Sequence, residues 1–199
     1  MNLKFLDGLK KVDNLYKKHG DKAYIGENIS QREHVVQSAL LAETYLENIA
    51  CEDDTRSSII LGALFHDVGN LLMYEYPNQF ELTADLGILD HEVHGSNYLR
   101  NLGFNEFICS LVKNHVYTKR YLITKNPEYF NVLSDASKKT FEYQGGLLTE
   151  LEIQNYENDP NFKWHLKMRE WDDMAKSTDS ELLEKIKNID IVEYYSNFL

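Results

Sequence analysis

The chain has 199 residues, 43% of them hydrophobic, and carries a formal net charge of -11 with a pI near 5.1. That balance argues against wrapping nucleic acid or docking on an anionic membrane, while a local basic pocket can still hold a small anion against the global field. Cys51 and Cys109 leave no disulfide framework and fit a reducing, cytoplasmic setting; no apolar run approaches about 18 residues, and Met1-Asn2-Leu3-Lys4 opens no signal pattern.

Only 3 prolines and 10 glycines interrupt long stretches of helical periodicity, so an all-α bundle in a single domain, 1–199, is expected, long enough for one well-buried core. Leu3, Leu6, Leu9, Val12 and Tyr16 mark the apolar face of a first helix that fades by Gly20. Residues 24–29 read as a loop, and Ser30-Gln31-Arg32-Glu33 has capping-box spacing for a helix to about Ala50. Asp53-Asp54 opens a helix predicted to run through His66-Asp67 to about Met73. Pro77 to Ile88 reads as a loop, followed by helices over about Asp90–Leu102 and Asn105–Tyr117. Ser134 is expected to cap a short helix ended by Gly145-Gly146, since glycine readily takes the left-handed conformation. A long helix spans about Asn161–Ala175, and Glu181–Leu199 reads as a charged helical tail whose Tyr194-Tyr195 and Phe198-Leu199 patch is expected to pack on the domain. No repeat, low-complexity segment or interdomain linker is visible.

The most informative feature is His66-Asp67, set in the apolar run Leu61-Gly62-Ala63-Leu64-Phe65-His66-Asp67-Val68-Gly69-Asn70. An adjacent imidazole and carboxylate are costly to bury unless something compensates them. A metal does so, because neutral imidazole gives a nitrogen ligand and a carboxylate can bridge two cations. A lone helical histidine such as His34 is more often an ordinary core or surface residue. The balance changes because other helices offer His91, His115 and an aspartate at 172 or 173, enough for two metals. Residues 66 and 67 project about 100° apart on a helix, so one can end on a metal while its neighbour bridges to a second. His91 and His115 would then be that second metal's outer ligands. His19 and His165 read as surface residues, and His94, one turn from His91, as a supporting donor or third ligand. Periodicity does not choose between Asp172 and Asp173.

The order His34, His66-Asp67, His115, Asp172 resembles the HD-domain superfamily, whose members are mostly phosphohydrolases. A narrower likeness lies in Tyr24-Ile25-Gly26-Glu27-Asn28-Ile29-Ser30-Gln31, His115-Val116-Tyr117-Thr118-Lys119-Arg120-Tyr121-Leu122, Leu133-Ser134-Asp135-Ala136-Ser137, Phe141-Glu142-Tyr143-Gln144-Gly145-Gly146 and Arg169-Glu170-Trp171-Asp172-Asp173. In order and spacing, from about residue 24 to 176, these are similar to the phosphonate-cleaving mixed-valent diiron oxygenases, to which myo-inositol oxygenase is related by chemistry. The resemblance implies one iron on His34, His66, Asp67 and Asp172, and another on Asp67, His91 and His115. Asp67 is then the bridge, and Asp172 is preferred to Asp173. Positions stay open for substrate and dioxygen, as a closed structural site would not allow.

The resemblance further implies that Lys119, Ser137, Gln144 and Arg169 hold the phosphonate, with Arg120 free to point outward. Two cations with hydroxyl and amide donors suit such a group, and a first-turn position for Ser137 favours an anion. Tyr24 and Glu27 match a mobile loop in which the tyrosine occupies an iron position until substrate displaces it and the glutamate meets the substrate's amine; Gln31 supports this loop. Asn70 stands where some members carry a histidine as proton acceptor, and an amide cannot be a general base at neutral pH.

The implied reaction is iron- and O2-dependent cleavage of the C–P bond of a small 1-hydroxy (amino)phosphonate at an Fe(II)/Fe(III) pair. It yields a carboxylate, such as glycine or a betaine, and inorganic phosphate. The H…HD…D core by itself also allows an HD-type phosphohydrolase, with Mn, Co or Mg activating water against a phosphate ester. His91 and the Lys-Arg-Tyr-Leu and Gln-Gly-Gly motifs weigh against that alternative. A third reading is a metal-binding sensor or interaction domain without turnover. The expected partner is a small phosphonate anion, with neither nucleic acid nor membrane; the sequence leaves the oligomeric state open.

Overall fold

The computed structural model describes residues 3–82 and 87–196. Its first helix, α1 (Leu3–His19), carries Leu9, Val12 and Tyr16 into the core, as the apolar spacing predicts. At the start of α2 (Gln31–Leu46) the capping box is complete: Ser30 Oγ accepts from Glu33 N at 3.2 Å, and Glu33 Oε2 accepts from Ser30 N at 2.7 Å.

The helix expected to run unbroken through the His-Asp pair is two helices, α3 (Asp53–Phe65) and α4 (Val68–Glu75). Asp67 leaves helical geometry at φ -102 and ψ 10 and becomes the residue before α4. Sequence periodicity could not report this break, because Ile59 to Phe65 and then Val68, Leu71 and Leu72 are all buried, making the apolar run continuous across it.

α5 (His91–Leu102) and α6 (Glu106–Lys125) follow, and α6 runs two turns beyond the expected end at Tyr117. The polar residues that suggested a stop, Thr118 and Lys119, are themselves buried. α7 (Glu128–Val132) and α9 (Glu150–Glu157), of 5 and 8 residues, are too short to show a helical period in the sequence. Between them lies α8 (Asp135–Tyr143), where Ser134 Oγ accepts from Ser137 N at 3.4 Å and the chain turns out at Gly145 and Gly146, φ +97 and +61. α10 (Phe162–Met174), α11 (Ser180–Lys187) and α12 (Ile191–Ser196) complete the chain.

α3 is the central helix and packs against α2, α6 and α10. Around it, one apolar cluster joins Leu9 and Val12 of α1, Val35 and Ala39 of α2, Ile108 and Leu111 of α6, Met168 and Trp171 of α10, Ile186 of α11 and Ile191 of α12. Each fully buried aliphatic or aromatic side chain contributes roughly 1.5–3 kcal/mol, so this cluster is what fixes the site helices relative to one another. Smaller clusters seat α9 on α6 through Tyr121 and Tyr156, and α8 through Ile123 and Phe141.

In the tail, Tyr194 donates to Glu43 Oε2 at 2.9 Å and so packs on α2; the side chain of Tyr195, together with Phe198 and Leu199, lies outside the described residues. Among the described residues no strand forms, and pairing is confined to isolated bridges at Ala23–Ser30 and Leu82–Ile88. No helix among them is long and apolar enough to cross a membrane.

Candidate active site

Four imidazoles and two carboxylates from α2, the α3–α4 break, α5, α6 and α10 converge in the interior. His34 Nδ1 lies 2.9 Å from Ala175 O, His66 Nδ1 2.8 Å from Ala63 O and His115 Nδ1 2.7 Å from Val112 O. A carbonyl only accepts, so each Nδ1 carries the proton and each Nε2 is left with a bare lone pair. Yet His34 Nε2 faces His66 Nε2 at 3.0 Å, and His91 Nε2 faces His115 Nε2 at 3.1 Å. In the neutral rings of His34 and His66 two lone pairs at that distance repel unless a cation, proton or metal, lies between them, whereas no carbonyl fixes the tautomer of His91. Two bonds of about 2.1 Å meeting at a right angle place their nitrogens about 3.0 Å apart, so both pairs have the spacing of neighbouring ligands on one metal.

Asp67 joins the two pairs. Its Oδ2 is 3.6 Å from both His34 Nε2 and His66 Nε2, and its Oδ1 is 3.2 Å from His91 Nε2 and 3.5 Å from His115 Nε2. One carboxylate oxygen therefore faces each histidine pair. Asp172 Oδ1 completes the first group at 3.3 Å from His34 Nε2 and 3.8 Å from His66 Nε2. The resulting groups, His34/His66/Asp172 and Asp67/His91/His115, have the composition and closeness to hold two metal ions.

Electrostatics favour positive charge here. Burial alone would raise Asp67, but His66, His91 and His115 hold its carboxyl well below the usual range. Burial would likewise raise Asp172, and Arg169, then His34 and His66, outweigh it. Burial lowers His66, yet Asp67 and Asp172 bring it up to about 9, the mark of a pocket that wants a cation, whether proton or metal. His115 is pushed down to about 3, chiefly by burial, which favours a neutral imidazole able to offer its Nε2.

Two backbone features aim His91 at this centre. Asp90, just before α5, holds the left-handed conformation at φ +55, uncommon for a residue with a side chain. Gly69 of α4 lies so close to α5 that a Cβ there would meet His91 O at 1.9 Å. Only a glycine lets the two helices approach in this way.

Above the centre opens a cleft lined by Tyr24, Gln31, Asn70, Lys119, Ser137, Thr140, Gln144 and Arg169, with Asp67, His91, His115 and Asp172 at its base. Lys119 and Arg169 are 2% and 3% exposed, which gives the acidic chain a buried local basic pair. Lys119 Nζ donates to Thr140 Oγ1 at 2.9 Å and Ser137 O at 3.2 Å. Arg169 donates through Nη1 to Asp172 Oδ2 at 2.7 Å, through Nη2 to Asp173 Oδ1 and through Nε to the Tyr129 hydroxyl at 3.0 Å. A guanidinium has five N–H donors, so two remain uncommitted to these partners. The same contacts separate the paired aspartates: Asp172 faces the imidazoles, while Asp173 serves Arg169 and Tyr129.

Gln144 closes α8, its Oε1 buried and without a protein partner. Arg120 points away from the cleft and holds the following turn, donating to Gly146 O at 2.8 Å and Gly145 O at 3.0 Å. Tyr24 stacks on His34 with ring centroids 3.9 Å apart, and Gln31 Nε2 ties the preceding loop by donating to Ala23 O at 3.3 Å.

Glu27 is not brought to the cleft; its Oε1 pairs with Lys176 Nζ at 3.2 Å. His165, expected at the surface, is fully buried, with Nε2 3.0 Å from Ser110 Oγ and its ring stacked on Tyr156. Its sequence neighbours are polar, but its own position faces α6. His19 is tied to α4 through Glu75 Oε2 at 2.9 Å, and His94 packs edge-on against Phe80, centroids 4.9 Å apart. Thr140, Tyr129, Asp173 and Lys176 were missed as supporting residues. The one available signal was the spacing of Thr140, a single turn after Ser137 on α8.

The HD domain model matches residues 32–153, which include His34, His66-Asp67, His91 and His115 and stop short of Asp172. Relatives extend the likeness over nearly the whole chain. Protein L432 of Acanthamoeba polyphaga mimivirus is 38% identical over 98% of this chain and 81% of its own length. Hydroxymethylphosphonate dioxygenase of Gimesia maris is 35% identical over 92% of this chain and 82% of its own. The glycine-betaine-forming [1-hydroxy-2-(trimethylamino)ethyl]phosphonate dioxygenase of Leisingera caerulea is 33% identical over 85% and 81%. With a metal-competent His/Asp centre beneath a cleft that carries a buried basic pair, this chain belongs to the HD-domain family and, within it, to the branch of the phosphonate dioxygenases.

Proposed function

We propose that the protein uses two irons, Fe(II)/Fe(III), and dioxygen to cleave the C–P bond of a small 1-hydroxyphosphonate, and that the whole chain, 1–199, forms the single HD unit that does so. The observation that carries this reading is Asp67, with one carboxylate oxygen toward each histidine pair. His34, His66, Asp67 and Asp172 would hold one iron, and Asp67, His91 and His115 the other. The metal pair supplies redox chemistry with dioxygen that no side chain offers.

The chain's own residues bind and orient. Lys119 and the two uncommitted N–H groups of Arg169 take the phosphonate oxygens, with Ser137 and Gln144 adding directed hydrogen bonds. Arg169 also fixes Asp172, so anion binding and ligand orientation share one guanidinium. Tyr24 stacks over His34 and covers the cleft on that side, where substrate has to displace it. Asn70 lines the cleft and can orient a hydroxyl but cannot remove a proton.

In balance, one dioxygen adds to one 1-hydroxyphosphonate. The C1–H and C–P bonds break, the carbon leaves as a carboxylate and the phosphorus as inorganic phosphate, and no external reductant is consumed. The names of two relatives, one for hydroxymethylphosphonate and one for a trimethylamino compound, support the substrate class. The test is iron-loaded protein with a panel of 1-hydroxyphosphonates, following oxygen uptake and phosphate release. A 1:1 ratio is expected; phosphate release from a phosphate ester without oxygen, and none from the phosphonates, would overturn the reading in favour of a hydrolase.

A further inference from the structure

The loop that carries Tyr24, closed at its base by the Ala23–Ser30 bridge, is also tied to the end of α10 by Lys176. Lys176, just past α10, lies 3.2 Å from Glu27 Oε1, an ion pair by distance without an aligned hydrogen bond, and donates to Ser134 Oγ, the cap of α8, also at 3.2 Å. Both members of the ion pair are largely withdrawn from solvent, with side chains 17% and 20% exposed for Lys176 and Glu27. Gly26, at φ +79, seats the loop against the first turn of α8, where a Cβ would come within 2.8 Å of Ala136 Cβ. Lys176 also directly follows Ala175, whose carbonyl orients His34.

The consequence is electrostatic. Among the described residues the carboxylates lining the cleft are Asp67 and Asp172, and both are committed to imidazoles or to Arg169. The charged groups left to meet a substrate are the cations Lys119 and Arg169. The unpartnered acceptors there, Gln31 Oε1 and Gln144 Oε1, are neutral amides. An ammonium entering this cleft gains no free counter-charge. To use Glu27 it has to share that carboxylate with Lys176 or displace it, setting two cations against one negative charge or leaving a largely buried ammonium without its counter-ion.

We propose that Lys176 holds Glu27 out of the cleft and thereby makes this chain selective for 1-hydroxyphosphonates that carry no ammonium group. The proposal rests on the phosphonate reading above. Its test is anaerobic calorimetry of the iron-loaded protein, which reads binding without turnover. Hydroxymethylphosphonate is compared with 1-hydroxy-2-aminoethylphosphonate on wild type, Lys176→Met and Lys176→Arg. Wild type is expected to bind the amine-free compound at least about tenfold more tightly. Lys176→Met, which frees Glu27, should narrow that ratio about tenfold or reverse it, and Lys176→Arg, which keeps the pair, should preserve it. If Lys176→Met does not fold, the wild-type ratio decides. Equal or tighter binding of the amino compound by wild type overturns the proposal while leaving the phosphonate reading standing. Binding of neither compound overturns both.

Discussion

Replacing Asp67 separates a shared bridge from two independent sites. The carboxylate faces both histidine pairs, so its loss is felt twice, but unequally. On the proposed assignment the His91/His115 group would fall from three protein ligands to two and lose its one negative charge, whereas His34, His66 and Asp172 would remain together. A unit charge pair about 4 Å apart at an effective dielectric of about 20 contributes about 4 kcal/mol, so a divalent cation that loses this carboxylate binds at least about a thousandfold more weakly. Asp67→Asn keeps the volume and one oxygen while removing the charge, which isolates the electrostatic part. After iron loading and dialysis against a weak chelator, elemental analysis should find two irons per wild-type chain and about one in Asp67→Asn or Asp67→Ala. His34→Ala should also weaken binding, but at the other group. Two irons retained with full turnover in Asp67→Ala would refute the bridging assignment.

Three further outcomes follow from the same geometry. Burial, then Arg169, brings the Lys119 ammonium down to about 7, so the cation is present below that pH and lost as pH rises through it. Phosphonate affinity of wild type relative to Lys119→Arg should therefore fall by up to about tenfold per pH unit above about pH 7, a ratio in which the ligand's own ionisation cancels. Tyr129→Phe removes the hydroxyl that accepts from Arg169 Nε and donates to Asp173. It should weaken phosphonate binding about tenfold at unchanged iron content, in line with roughly 1.5–3 kcal/mol for a hydrogen bond to a charged group. Gly69→Ala forces a Cβ to within 1.9 Å of His91 O and should cost about 3 kcal/mol in a denaturant titration and release iron from the His91/His115 group first.

Much of this architecture is legible in residue spacing. The Ser30–Glu33 capping box, the apolar face of α1 and the Ser134 cap follow from local chemistry, which acts within one turn and so is written in adjacent letters. The His and Asp order pointed to the convergence of helices that the structure displays. What was hidden depends on contacts between distant segments. The interruption at Asp67 lies inside a run that is apolar on both sides, and burial of both α3 and α4 conceals it. α6 continues past Tyr117 because Thr118 and Lys119 are buried beneath other elements, so their polarity marks a partner and not an end. His165 looked exposed because its neighbours are polar, and only the packing of α10 on α6 gives it Ser110. Asp172 and Asp173 both matter, one to the imidazoles and one to Arg169, a division that periodicity cannot make.

Two coupled irons across Asp67 would be visible in low-temperature electron paramagnetic resonance on anaerobically iron-loaded, partially oxidised protein. A half-integer-spin signal from a coupled Fe(II)/Fe(III) pair is expected, and it should change when hydroxymethylphosphonate is added. Folded protein that holds two metals per chain and gives no such signal, with or without the phosphonate, would contradict the coupled pair.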